Sequence, residues 1–255
     1  MNQNSYNLLR LRKEIKPFRL QWFSRLRSTN DHAAFLRKRG ELFAPAIVLT
    51  GNQIAGRGRN TNTWWSSAGC LTVTFVMPID EHLAAHQVPL IAGLAVRDAM
   101  AEISGESEIQ LKWPNDLLYR GRKLAGLLCE RVHKADLIGV GINVNADKTA
   151  PAALRARMIF LSEIAHRQFD KTDVLMVVAR QLRAMLAHRD EHPFGAMLRK
   201  YDRHHALVGK RVRVMQGANE AAISGVCRGL DSMGRLLLTN RGQTHRIIAG
   251  QVEMV

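Results

Sequence analysis

At 255 residues and 46% hydrophobic content, the chain is long enough to bury the core of one larger domain and one small domain. Its cysteines, Cys70, Cys129 and Cys227, are too widely spaced for a disulfide framework or a Cys-x-x-Cys metal site, and no apolar run approaches the roughly 20 residues that cross a bilayer. The net charge of +15 raises nucleic acid as a partner, but the cations are diffuse from Arg10 to Arg203 and only 6% of residues are aromatic, few for a base-stacking surface.

Residues 1–20 carry Arg10, Arg12, Lys13, Lys16 and Arg19 and read as a basic, flexible leader, either a loosely docked tail or an organelle transit peptide. Ser28-Thr29-Asn30 ahead of Asp31 to Leu36 reads as a helix entrance, since such side chains cap exposed N–H groups. Short, β-branched runs at 45–50 and 71–77 read as strands with a glycine- and arginine-rich loop between them. Pro89 opens an apolar helix through about Ile103, and strands follow near 108–113, 124–133 and 136–144. The last of these runs into Gly139-Val140-Gly141-Ile142-Asn143-Val144-Asn145, where glycines in a buried strand imply that another group packs closely. Leu175, Val178, Leu182 and Met185 behind Thr172 give one buried helical face, and a further helix is expected from Phe194 to His204. From Lys210 onward, five short β-like segments at 211–215, 221–227, 236–239, 244–248 and 251–255 suggest a small barrel. The histidines, including His188 with His192 and His204-His205, have no catalytic pattern around them and are expected at the surface or partly buried.

Two separated stretches carry the chemistry. Gly56-Arg57-Gly58-Arg59, leading to Trp64-Trp65, offers bare backbone amides and two guanidinium forks suited to carboxylate or phosphate oxygens. It lacks the Gly-Lys-Ser/Thr ending of a P-loop, and on its own an Arg/Gly run is more often a solvated loop. Lys112-Trp113-Pro114-Asn115-Asp116, followed by Lys123-Leu124-Ala125-Gly126, adds two compact cations and a turn stiffened by proline. Trp113 as a core residue and Asp116 as a turn former or structural anchor are the bland alternatives. Together the stretches point to an enzyme that handles a carboxylate and a phosphate.

In order along the chain, Ser28-Thr29-Asn30, Gln53 through Arg59 with Trp64, Lys112 to Gly126, and Gly139 to Asn145 resemble the biotin protein ligases, and Val208-Gly209 with Arg228-Gly229-Leu230-Asp231 and Gly234 resembles their carboxy-terminal domain more weakly. The resemblance covers about residues 21–255 and implies an α+β protein: a class II synthetase-like biotin/lipoate ligase catalytic domain, a mixed sheet with helices, over 21–206, then an SH3-like β-barrel over 207–255. The implied activity is ATP-dependent attachment of biotin, through biotinyl-5′-AMP, to a lysine of a biotin carboxyl carrier domain. Mg²⁺ would be carried mainly by ATP, with no metal site on the protein.

By the same resemblance, Lys123, Arg57, Arg59, Asp116 and Lys112 are the catalytic set. Ser28, Thr29, Asn30, Gln53, Gly58 and Gly126 join Arg57, Arg59 and Lys123 around biotin. Gly56, Trp64, Asn115 and Asn143 join Arg57, Arg59 and Lys112 around ATP and the adenylate, with Trp64 stacking on adenine. A cytoplasmic enzyme follows, with a homodimer as an option and no specific DNA binding, because the helix-turn-helix domain of many relatives has no room before Ser28. Relatives commonly continue the loop as Arg-Gly-Arg, whereas Asn60-Thr61-Asn62 stands here, which implies a weaker hold on triphosphate. A lipoate or octanoate ligase, and a non-enzymatic nucleic-acid-binding protein with an SH3-like barrel, are the alternative classes.

Overall fold

The computed structural model describes residues 6–187, 194–217 and 221–255. Helix α1 (Leu8–Glu14) leads into β1 (Arg19–Leu26), α2 (Thr29–Lys38) and β2 (Ala46–Gln53). Two short strands, β3 (Gly56–Arg57) and β4 (Thr63–Trp64), precede β5 (Cys70–Pro78), α3 (Val88–Ser104), β6 (Gln110–Lys112), β7 (Asp116–Tyr119), β8 (Arg122–Val132) and β9 (Ala135–Asn143). The helices α4 (Ala152–Arg155), α5 (Leu161–Ile164), α6 (Lys171–Ala187) and α7 (Phe194–Arg203) follow. The chain closes with β10 (Arg211–Met215), β11 (Ile223–Leu230), β12 (Leu236–Asn240), β13 (Gln243–Ile247) and β14 (Gln251–Met254).

Seven strands form one mixed sheet in the order β1-β2-β5-β9-β8-β7-β6, with β1 and β2 parallel and the other pairs antiparallel. Strand side chains alternate between faces, and here the two faces differ. Ile47, Leu49, Leu71, Val73, Phe75, Ile138, Val140 and Ile142 share one core with residues of α3 and α6. Ala46, Val48, Val76, Ala135 and Leu137 point the other way and share a smaller cluster with Ala33 of α2. Helix α3 is apolar nearly all round because neighbours cover it on several sides; Pro89 stands in its first turn, and Gly105, at φ 77°, ends it in the left-handed conformation that favours glycine.

The second sheet is antiparallel, in the order β13-β12-β11-β10-β14, in keeping with the expected SH3-like barrel. Two of the contacts that anchor it lie at the β6 end of the larger sheet. Leu111 N–H donates to the His204 carbonyl and the Leu111 carbonyl accepts from Ala206 N–H, both at 2.8 Å, so residues 204–206 run alongside β6. Trp113, fully buried, donates from Nε1 to the Gly234 carbonyl at 3.3 Å.

Several expectations change. Much of the leader is docked: Tyr6, Leu11, Ile15 and Phe18 are buried, Phe18 meets Phe75 edge-on at 5.6 Å, and Asn7 N–H donates to Thr172 Oγ1 at 3.1 Å. Its apolar residues lie between the charges, which composition alone hides. The strand expected near 108–113 is the three-residue β6, and the Trp-Pro-Asn turn joins it to β7, an additional strand. Residue pairing continues within the arginine loop, where β3 and β4 form a hairpin. His205 is buried against Tyr201, ring centroids 5.2 Å apart, while His188 and His192 lie outside the described residues.

Candidate active site

The face of the sheet that is apolar under α2 becomes polar and glycine-lined toward the other end of the strands. Register places Thr74, Gly139 and Leu128 in one row across β5, β9 and β8, and Thr72, Gly141 and Gly126 in the next. These residues apart from Thr74 line a cavity of about 550 Å³. Its glycines are required by close approach. A Cβ on Gly139 would stand 2.3 Å from Asn30 Oδ1, and one on Gly141 would stand 2.4 Å from the Trp64 ring.

Helix α2 delivers Ser28, Thr29 and Asn30, all buried, to the rim of this floor. Ser28 caps the helix by accepting from Asp31 N–H at 3.3 Å, and Gln53 Oε1 accepts from Thr29 N–H at 2.8 Å. Thr74 Oγ1 lies 2.8 Å from Thr29 Oγ1 and 2.6 Å from Asn30 Oδ1, while Asn30 Nδ2 donates to the Leu128 carbonyl at 3.0 Å and to Glu130 Oε2 at 2.8 Å. A buried polar layer bonded in this way is rigid, because each broken contact leaves a desolvated group unpaired.

The hairpin lies over the cavity. Gly58 N–H donates to the Asn62 carbonyl at 2.8 Å, and Asn60 occupies the left-handed region at φ 55°, so the uncharged Asn60-Thr61-Asn62 segment makes a tight turn. Arg57 is held by Asp31 Oδ1 at 2.8 Å from Nε and by the Glu130 carboxylate at 3.1 and 3.2 Å from the second Nη; its hydrogen bond to Asp31 is the chief cause of its raised pKa. Arg59 donates to the Gly250 carbonyl at 3.2 Å, and burial lowers its pKa. Trp64 lies against Gly141, with Lys123 Nζ 5.8 Å from its ring centroid.

The charge of Asp116 acts on both lysines. Lys123 Nζ is 2.7 Å from Asp116 Oδ1, and both its Cε and Nζ would lie 2.9 Å from a Cβ on Gly126, so the missing side chain leaves the ammonium room. Lys123 is fixed through its backbone as well: its N–H donates to the Arg157 carbonyl at 2.9 Å, and its carbonyl accepts from Ile159 N–H at 2.9 Å and Asn143 Nδ2 at 3.0 Å. Lys112 stands opposite Asp116 in the backbone register of β6 and β7 without an ion pair to it, and burial lowers its pKa against the opposing pull of the Asp116 charge.

Of the residues singled out in the sequence, Ser28, Thr29, Asn30, Gln53, Arg57, Gly58, Arg59, Trp64, Lys112, Asn115, Asp116, Lys123, Gly126 and Asn143 all line this cavity. Gly56 supports it from outside, packed so that a Cβ would stand 2.5 Å from the Trp64 carbonyl. The amides of Asn115 and Asn143 are engaged with the backbone carbonyls of Leu127, at 2.7 Å, and Lys123, so both brace β8. Sequence reasoning did not find Thr72, Arg157 or the barrel residues Gly250, Gln251 and Glu253, which also line the cavity. Thr72 and Thr74 alternate with Leu71, Val73 and Phe75, a legible sign of a polar face; Arg157 and the barrel residues belong to no motif. Among the described residues no group of three or more His, Cys, Asp or Glu is placed to hold a metal ion, and no helix is long and apolar enough to cross a membrane.

Residues 22–147 match the model of the Biotin/lipoate A/B protein ligase family. The chain is 32% identical over 212 residues to a biotin–[acetyl-CoA-carboxylase] ligase of Mycobacterium tuberculosis, covering 81% of this chain and 77% of that protein. It is 30% identical over 239 residues to the ligase of the same name from Paracoccus denitrificans, covering 89% and 97%. Among solved structures, the biotin protein ligase of Aquifex aeolicus in complex with biotin and ATP superposes with a TM-score of 0.82 at 27% identity, over 93% of this chain and 98% of that one.

Proposed function

Because the chain belongs to the biotin protein ligase family, we propose that the cavity joins biotin to a carrier-domain lysine in two steps through biotinyl-5′-AMP. In the first, a biotin carboxylate oxygen bonds to the α-phosphorus of ATP as the bond to the bridging β-phosphate oxygen breaks, releasing pyrophosphate. In the second, the acceptor amine bonds to the acyl carbon as the carbon–oxygen bond to AMP breaks, and the amine gives up a proton. The acceptor is a biotin carboxyl carrier domain of a carboxylase, and the enzyme works in the cytoplasm, as a monomer or homodimer.

Both steps bring anions together, so cations must offset charge where the reacting groups meet. Lys123 is the residue we assign to the carboxylate and then to the acyl-phosphate oxygen; the observation that carries this is its ammonium, oriented by Asp116 at 2.7 Å over the space left by Gly126. Asp116 holds that ammonium in place and is the carboxylate we assign to receive the acceptor's proton. Thr29, Asn30 and Gln53, held in place with Thr74 behind them, supply donors and acceptors for a polar ring. Trp64 and the hairpin cover the anhydride and exclude water. Asp31 and Glu130 are bound to Arg57, and Asp116 to Lys123; Mg²⁺ enters on the nucleotide oxygens as part of the substrate.

The test is biotin-dependent exchange of labelled pyrophosphate into ATP, with lipoate and octanoate as competing acids. Exchange with biotin alone, lost in Lys123→Ala, is expected. Equal exchange with lipoate, or full activity in the variant, would overturn the substrate or the role of Lys123 respectively.

A further inference from the structure

The cavity holds five cationic side chains, and three of them are already engaged. Arg57 is bound to Asp31 and Glu130, Arg59 to the Gly250 carbonyl, and Lys123 to Asp116. Lys112 and Arg157 remain, and among the described residues neither forms an ion pair. Arg157 and Lys123 repel Lys112, while Asp116 and Glu253 are the carboxylates whose charges act on it in the opposite sense. The backbone of Arg157 is held in place. The main chain at 157–159 runs beside Lys123, with hydrogen bonds from Lys123 N–H to the Arg157 carbonyl and from Ile159 N–H to the Lys123 carbonyl, both 2.9 Å, and Met158 bridges to Lys123. An exposed guanidinium at the cavity wall, on a backbone fixed beside Lys123 and with no carboxylate of its own, adds positive potential that favours an anion. The turn of the covering hairpin, Asn60-Thr61-Asn62, contributes no charge to that anion.

We propose that Arg157 binds the phosphate chain of the nucleotide, its planar fork paired with phosphate oxygens while Lys112 acts beside it as a point charge. This rests on the ligase reading of the cavity. Because the contact is made to ATP before chemistry, it sets nucleotide affinity more than the rate of the chemical step.

The experiment compares wild type, Arg157→Ala, Arg157→Lys, Arg157→Gln and the surface control Lys38→Ala in two assays: biotin-dependent pyrophosphate exchange as a function of ATP concentration, and calorimetric binding of ATP and, separately, of biotin to the intact chain. Arg157→Ala and Arg157→Gln are expected to raise the KM for ATP and its Kd by about 10- to 100-fold, with kcat changed less than about threefold and biotin affinity unchanged. Arg157→Lys should recover part of the loss, and Lys38→Ala should match wild type. An ATP KM and Kd within twofold of wild type in both neutral variants would overturn the inference, as would a fall in kcat with KM unchanged, the mark of a merely structural support for Lys123. Wild-type protein that binds ATP in an Arg157-dependent way yet shows no biotin-dependent exchange would instead remove the ligase reading and leave this site standing.

Discussion

Replacing Gly139 with alanine should destabilise the protein by displacing Asn30. The added Cβ would stand 2.3 Å from Asn30 Oδ1 and 3.1 Å from the Leu128 carbonyl. Ordinary contact lies near ~3.5 Å, so something must move by on the order of 1 Å. The backbone of β8 is locked in its ladder with β9, which leaves the Asn30 amide. That amide has little freedom, being tied to the Leu128 carbonyl at 3.0 Å, Glu130 at 2.8 Å and Thr74 at 2.6 Å. At about 1 kcal/mol per neutral bond, more where a charge takes part, and a further penalty for each buried group left unpaired, the loss is about 3–5 kcal/mol. Alanine returns about 0.4–1 kcal/mol through the unfolded chain, so a net loss of about 2–4 kcal/mol is expected, a fall in Tm of about 4–16 °C. Thermal and urea unfolding of Gly139→Ala, Asn30→Ala and the double variant measure it. Asn30→Ala removes the obstructing amide, so the two changes should couple by at least ~1 kcal/mol. A Tm within about 2 °C of wild type for Gly139→Ala, or additive losses within about 0.5 kcal/mol, would refute the reasoning.

Two further outcomes follow from buried and strained positions. Burial lowers the Lys171 pKa to about 8 from its ordinary 10.5, although the ammonium donates to the Ala68 carbonyl at 2.7 Å. Between these values the unfolded chain binds more protons at this site, so Lys171 makes stability rise with pH across that window and imposes its full burial cost below it. Burial raises the acids Tyr6 and Cys70, which work in the opposite sense, so the contribution is read as wild type minus Lys171→Met in urea unfolding from pH 7 to 10; parallel profiles would contradict it. At the hairpin tip, Asn60→Ala places a less tolerant residue at φ 55° and should speed hydrogen exchange of the Gly58 amide by about 5- to 30-fold, whereas Asn60→Gly should change it little; identical exchange in the alanine variant would show that the turn is not held by this residue.

Much of the fold was legible because its strongest signals are local. The apolar run from Pro89, the spacing of Leu175, Val178 and Leu182, and the alternating segments after Lys210 each fix an element by its own periodicity. Strand β1 was not legible. It pairs in parallel at the rim of the sheet, its residues are only partly buried, and arginines interrupt its pattern, so no period-two signal survives. Residues of the cavity were found where glycine, proline and lysine recur in a distinctive order. What the order of residues could not convey is which charges neutralise one another. Arg57 reads as a free anion ligand until Asp31 and Glu130, 26 residues before it and 73 after, come within hydrogen-bonding reach. Arg157 is invisible for the converse reason, since its significance lies in the partner it lacks.

The cavity is walled by two structural units, with Gly250, Gln251 and Glu253 of the barrel facing residues of the larger sheet. Occupancy therefore acts on the joint between them as well as on chemistry. A ligand that spans the space touches both sides, and its binding free energy is added to the Trp113–Gly234 and Arg59–Gly250 hydrogen bonds that already help hold the barrel in place. A ligand that touches both units seats the barrel more firmly, and the seam between them loses that added hold as product departs.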